Sequence, residues 1–195
     1  MASLVLSGDT SGSITVAAPA VSGSNTQTLA AVTGTLAPIV SGTAVSASGT
    51  SVDFTDIPSW VKRVTVMLSG ISFTGTPTGY TLLLLGTGST PTYTTSGYAA
   101  QLMTTGASSM NTVNFTTGFS VLNPNSSTVL YSGTYVLTNV SGNTWTFIGS
   151  GADASGTRMY LSSGEVTLSA ALTALRVDPN STDTFDAGTI NILYE

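Results

Sequence analysis

Apolar and polar residues alternate in short runs along most of the chain after residue 48. In the run from 61 to 68, Val64, Val66 and Leu68 fall on one side, with the period of two that a half-buried strand requires. Ile190, Ile192 and Tyr194 repeat this pattern near the C-terminus. The pattern predicts strands at 61–68, 130–148, 165–168, 172–177 and 189–194.

The clearest local signal is a hairpin between residues 130 and 148. The apolar runs 135–137 and 145–147 flank Ser141-Gly142-Asn143, a typical turn sequence. Four aromatic residues lie within strand patterns and are predicted to lie in the core: Trp60, Tyr135, Trp145 and Phe147.

Helix signals are weak throughout the chain. Residues 95–110 and 168–175 are the segments where a helix could be considered, and both are interrupted by Gly, Ser or Thr. Strand signals, in contrast, recur between short Gly, Asn, Asp and Pro clusters. The pattern predicts an all-β fold: about eight mostly antiparallel strands in a jelly-roll-like antiparallel β-sandwich, with an extended N-terminal segment.

Residues 1–47 differ in composition from the rest of the chain. They contain no aromatic residue, and Asp9 is their one charged side chain. Short alternating pieces at 13–16 and 26–29 lie between Ser-Gly pairs, and their small apolar side chains bury little surface within one chain. We expect either a linker or a thin strand region that becomes ordered against other subunits, and the alternation favours the second. Two parts are thus predicted: an attachment or shaft segment (1–47) and a distal β-sandwich domain (48–195).

The composition restricts the chemistry that the chain can perform. Its 195 residues include no Cys and no His, which excludes disulfides, thiolate nucleophiles, His bases and Cys/His zinc sites. About a third are Ser or Thr, and four basic residues stand against nine acids. Such a balance of charges provides no basic surface to which nucleic acid could bind. The N-terminus resembles no signal peptide and no apolar run is long enough for a membrane span, so we expect synthesis in the cytoplasm.

Three stretches resemble phage virion proteins of the tail-fibre and virion-appendage kind. They are "LSGDTSGSITVAAPAVSGSNTQTLAAVTGT" at 6–35, "SGTAVSASGTSVDFTDIPSWVKRVTVMLSGI" at 41–71 and "DTFDAGTINILYE" at 183–195. The second and third are distinctive in order and position, whereas residues 72–182 match loosely. The resemblance implies a β-sandwich distal domain, trimerisation and a place on the outside of the virion, on either tail or capsid.

Several side chains could carry chemistry or bind a ligand. Tyr80, Tyr93 and Tyr98 lie in a stretch rich in Gly, Thr and Pro, where exposed rings could stack on a host glycan. The alternative is that each ring covers a subunit contact or a local loop. The acids Asp178, Asp183 and Asp186 do not have calcium-loop spacing, and they are interpreted as turn residues, like Asp53 and Asp56. No catalytic residue, metal ligand or cofactor is therefore predicted.

The expected function is structural. The leading hypothesis is a homotrimeric bacteriophage tail fibre on the virion surface, with a host-facing head that binds glycan or surface protein weakly at many sites. Residues 1–47 would contact the tail, the baseplate or the capsid. The alternatives are a capsid decoration (cement) protein that stabilises the shell and a small glycan-cleaving tail spike.

Overall fold

The computed structural model describes residues 3–7, 13–17, 38–106 and 109–195. This part of the chain contains strands and turns but no helix, and hence no helix that could cross a membrane. The strands are β1 (Ser3–Ser7), β2 (Ser13–Ala17), β3 (Val40–Ser41), β4 (Val45–Ser46), β5 (Val52–Phe54), β6 (Arg63–Phe73), β7 (Thr81–Thr87), β8 (Thr92–Tyr93), β9 (Ala99–Thr105), β10 (Met110–Phe115), β11 (Phe119–Leu122), β12 (Tyr131–Ser141), β13 (Thr144–Asp153), β14 (Met159–Thr167), β15 (Leu172–Asp178) and β16 (Phe185–Tyr194).

Two compact units divide the chain, the first ending at Leu36 and the second beginning at Ala37. In the first unit β1 and β2 pair antiparallel, with Ser3 opposite Ala17. The predicted alternating piece at 13–16 therefore lies in a strand. The piece at 26–29 and most of the resembling stretch at 6–35 lie outside the described residues.

The second unit begins earlier than the predicted boundary between residues 47 and 48. The short strands β3 and β4 pair with β16, and the Gly42 N–H donates to the Ile192 carbonyl at 2.8 Å. Because this pairing partner lies almost 150 residues away, at the far end of the chain, composition near residue 47 could not reveal it.

Two antiparallel sheets form the second unit, as the sequence predicts for a β-sandwich. The large sheet has the order β10-β9-β14-β13-β12-β6-β16-β3, with β4 also paired to β16. The small sheet has the order β11-β7-β15-β5, with β8 beside β7. The predicted number of about eight strands was too low, because several two- and three-residue strands at the edges carry no periodic signal. The segments 95–110 and 168–175 contain β9 and β15.

The core lies between the two sheets. Val64, Val66 and Leu68 are buried on the inner side of β6, as their alternation predicts. The predicted hairpin is confirmed, since β12 and β13 pair along their length and Ser141 lies opposite Thr144 across the turn. Three of the four predicted core aromatics are buried: Tyr135, Trp145 and Phe147.

The prediction for Trp60 was wrong. Its side chain is 42% exposed and packs against Tyr194 with 5.9 Å between ring centroids. Trp60 lies in the turn that precedes β6, so the alternation of that strand does not govern its direction.

An aromatic stack fills the centre of the sandwich. The Phe147 ring lies between Phe119, at 4.4 Å, and Tyr135, at 5.7 Å, and both pairs are nearly parallel. The Tyr135 hydroxyl donates to the Val121 carbonyl at 2.5 Å, which satisfies a polar group that would otherwise be buried without a partner. Burial raises the pKa of Tyr135 far above its ordinary value.

Candidate functional site

Tyr98, one of the three predicted glycan-stacking residues, is part of the core. It is 3% exposed, and its ring packs edge-on against Phe119 with 4.9 Å between centroids. Its hydroxyl accepts the Leu85 N–H at 3.0 Å and donates to the Thr94 carbonyl at 3.2 Å. Burial raises the pKa of Tyr98 to about 12. The ring fixes β7 to the following loop, so its faces are not open to a sugar.

Tyr93 is half-buried on the small sheet, and one face of its ring is covered. The Arg176 guanidinium lies 4.2 Å from the ring centroid and forms two hydrogen bonds of 2.7 Å with Asp53. The turn interpretation of Asp53 was therefore wrong: register places it opposite Arg176 on the neighbouring strand. The Tyr93 hydroxyl is buried and has no hydrogen-bond partner among the described residues. Burial, followed by the Asp53 carboxylate, raises the pKa of Tyr93 to about 12.

Tyr80 lies just before β7 and is half-buried. Its ring packs edge-on against Phe115, with 4.9 Å between centroids and 73° between planes. Phe115 and Tyr98 both border one depression at the edge of the large sheet, whereas Tyr93 lies on β8 against Arg176. Of the three predicted tyrosines, Tyr98 borders this depression, Tyr80 contacts Phe115 beside it, and Tyr93 does not line it.

The depression lies where β9, β10 and β14 run side by side, and it has a volume of about 490 Å³. Gln101, Asn114 and Ser163 border it and have exposed side chains. Strand alternation directs these three side chains outward, whereas the rings of Phe115 and Tyr98 pack inward against Tyr80 and Phe119. No charged side chain lines it. A shallow, uncharged surface with two amides and a hydroxyl suits a neutral ligand rich in hydroxyl groups.

The three polar side chains stand in one row across the strands. Gln101 is the register partner of Asn114 on one side and of Ser163 on the other. Residues directly opposite each other lie about 5 Å apart, so the three side chains span roughly 10 Å. This is about the length of two linked sugar rings. Within the described part of the chain, none of the three donates to or accepts from another residue's side chain. Sequence analysis missed this row because it is formed only by strand register.

Asp178 and Asp183 serve the turn that precedes β16, as predicted. The turn interpretation of Asp186 was wrong, because this residue lies within β16 and its carboxylate accepts the Ser72 hydroxyl. Asp178 accepts the Asn180 N–H at 2.6 Å, and Asp183 accepts the Thr78 N–H at 3.0 Å as well as the Ser181 hydroxyl. Burial alone would raise the pKa of Asp183, but hydrogen bonds to its carboxylate outweigh that effect and lower it. Across the described ranges, no three Asp or Glu side chains lie close enough together to hold a metal ion.

Comparison with protein-family models, with curated proteins and with solved structures gave no match to this chain. The arguments for a function therefore come from the residues, the fold and the resemblance of the three stretches.

Proposed function

We propose that this chain is a structural protein of a bacteriophage virion, a homotrimeric tail fibre whose β-sandwich faces the host. Residues 1–47 attach it to the tail, baseplate or capsid. The observation that carries the proposal is the position in the fold of the two distinctive stretches that resemble virion appendages, at 41–71 and 183–195.

Most of these two stretches forms one continuous part of the large sheet. The stretch 41–71 contains β4 and most of β6 in that sheet, together with β5 in the small sheet, and 183–195 contains β16. Ile190 lies opposite Leu68 and Ile192 opposite Val66, although residues 72–182 separate the stretches in the chain. A chance resemblance has no physical reason to fall on paired strands. The resemblance is explained if these paired strands form a supporting part of the domain that virion appendages have in common.

Among the loosely matching residues 72–182, the strands β9, β10 and β14 form the opposite edge of the same sheet. The depression with Gln101, Asn114 and Ser163 lies there, away from the resembling strands. In the proposed fibre this edge contacts the host. Its ligand is a surface glycan without charge, because neutral amides and hydroxyls exchange hydrogen bonds with sugar hydroxyls. A weak single site becomes effective when three copies in each fibre bind together.

The proposal includes no catalytic activity. Glycoside hydrolysis needs two carboxyl groups about 5 to 10 Å apart with room for the sugar between them. Here Asp53 is held by Arg176, while Asp153 and Asp183 accept hydrogen bonds from their own turns. These carboxylates support the fold.

Imaging of the intact phage particle with an antibody against residues 48–195 tests the location. Labelling at the tail is the expected result. Labelling distributed over the capsid would reject the fibre and favour the decoration protein instead.

A glycan array tests the host contact. The full chain carrying both Gln101→Ala and Asn114→Ala should bind at least tenfold more weakly to any neutral glycan that the unaltered chain binds on the array. Thr112→Ala, on the exposed side of β10 next to this row, is the matched control and should bind normally. Equal binding by all three proteins would show that the depression is not the glycan site.

A further inference from the structure

The outer face of the large sheet carries an unusual set of side chains. The chain has five methionines, and the four after Met1 all lie on this face. Their neighbours in sequence, among them Val66, Leu102 and Tyr160, are buried on the inner face, so the alternation of each strand directs the methionines outward. We call the surface formed by Met67, Met103, Met110, Met159, Leu161 and Ile148 the methionine face.

Strand register makes this face continuous. One row of successive partners across the sheet consists of Thr112, Met103, Leu161, Ser150, Thr134, Met67 and Asn191. Met110 and Met159 flank Thr105 in the next row. Met110 is 76% exposed, Met159 61% and Leu161 49%, so large apolar side chains face water in the single chain.

The rows that contain the methionine face hold no charged residue. Arg63 and Glu165 lie in the row at the end of the face, and Arg63 already pairs with Glu195. The whole chain carries a net charge of −5, so two copies repel each other unless they meet at an uncharged surface. A partner of opposite charge would find no charged side chain to pair with in these rows. Interface centres are depleted in charge and enriched in methionine, as this surface is.

The size of the face also suits an interface between subunits. With strands about 4.8 Å apart and a rise of about 3.3 Å per residue, two complete rows across seven strands cover roughly 450 Å². A standard interface buries about 800 Å² on each partner, so these two rows supply about half of what one contact needs.

We propose that the methionine face is the surface through which copies of this chain associate. This inference rests on the proposed trimeric fibre and names the contact that holds it together. Three such faces turned toward a common threefold axis bury their methionines against one another. The row of Gln101, Asn114 and Ser163 lies on the same outer face, next to Met103 and Leu161, and forms the rim of this contact at the edge strands.

A matched pair of substitutions tests the contact. Leu161, on the face, and Leu130, before β12, have similar exposure at 49% and 47%. The unaltered chain should scatter light as a particle of about three times 19.7 kDa. Leu161→Lys should reduce this to one chain with an unchanged β-type circular dichroism spectrum, and Leu130→Lys should remain trimeric. A trimeric Leu161→Lys chain would overturn the inference alone, whereas a monomeric unaltered chain would refute the trimer itself.

A second measurement needs no variant. Hydrogen peroxide oxidises exposed methionine to the sulfoxide, and burial slows the reaction. In the purified full chain, Met110 and Met159 should be oxidised at least tenfold more slowly than in the urea-unfolded chain, as measured by mass spectrometry of peptides. Oxidation at the unfolded rate would overturn the inference. Protection that appears only in intact particles would also overturn it, because a different virion protein would then cover the face.

Discussion

The two faces of the large sheet are built from the same strands and yet have opposite properties. On β13 and β14, the inward Phe147 and Tyr160 are almost completely buried, whereas the outward Ile148 and Leu161 are about half exposed or more. The inner face carries rigid aromatic rings with fixed partners, and the outer face carries flexible methionine and small hydroxyl side chains. Folding of the single chain thus depends on one face, and the other remains available for contacts between molecules.

This difference also explains how a chain with so few charges can fold. Only 7% of its residues are charged. The inner face supplies apolar burial at about 25 cal/mol per Å², and the backbone satisfies its own hydrogen bonds within two antiparallel sheets. The outer face then needs few ion pairs for stability, because hydroxyl groups keep most of the protein surface hydrated.

The largest effect is expected when the aromatic stack loses its centre. Phe147→Ala should lower the free energy of unfolding by about 3–5 kcal/mol, because it removes a ring held between two others and leaves a cavity. Thr146→Ala, one residue earlier on the outer face, should change it by about 0.5 kcal/mol or less. Urea unfolding followed by circular dichroism measures both. Similar losses for the two variants would abolish the distinction between the faces.

A second pair tests how closely the inner face is packed. A Cβ placed on Gly149 would lie 2.5 Å from the Thr134 carbonyl oxygen and 2.6 Å from the Tyr135 Cα, both backbone atoms that cannot move aside cheaply. Gly149→Ala should therefore cost about 1–3 kcal/mol. Ser150→Ala, on the outer face, should be nearly neutral. A Gly149→Ala protein as stable as the unaltered one would mean that the two strands can separate at little cost.

Removal of a single buried hydroxyl should have a smaller effect. Tyr135→Phe keeps the stacked ring but leaves the Val121 carbonyl without its donor. A loss of about 1–2 kcal/mol in the free energy of unfolding is expected, again measured with urea. Tyr194→Phe, at the half-buried end of the sheet, is the control and should be neutral. Equal stability of Tyr135→Phe and the unaltered chain would show that the carbonyl finds another donor.

The smallest effect concerns Asp153, the charged residue at the inner end of β13. Burial alone would raise its pKa, but hydrogen bonds from Ser155, Thr157 and the Arg158 N–H outweigh burial and lower it. A carboxyl whose folded pKa is lowered stabilises the fold above its unfolded pKa of about 3.9, and the contribution is lost as pH falls through the folded pKa.

Ser155→Ala removes one of these hydrogen bonds. At pH 7 it should lower the free energy of unfolding by about 0.5–1.5 kcal/mol, and the difference from the unaltered chain should shrink toward pH 2. Thermal unfolding at several pH values measures this difference. A difference that stays constant from pH 7 to pH 2 would show that the hydroxyl acts through packing rather than through the carboxylate.

Little of the candidate site could be predicted from the sequence. Tyr80, Tyr93 and Tyr98 were expected to be exposed, but Tyr98 is buried and the other two are half-buried. Tyr98 turned inward because its hydroxyl bridges Leu85 and Thr94, a contact that depends on where the loop folds back. Gln101 and Ser163 meet through register, which no local pattern encodes.

The sequence by itself determined the fold class, the β12–β13 hairpin and the inner face of β6. These features follow from local alternation and turn chemistry, which act between residues that are close in the chain. Only the tertiary structure decided that β16 pairs with β6 and β3, that Trp60 is exposed and that four distant methionines share one face. Those outcomes depend on strand order and register, which are set by packing of the whole core and therefore cannot be read from any single segment.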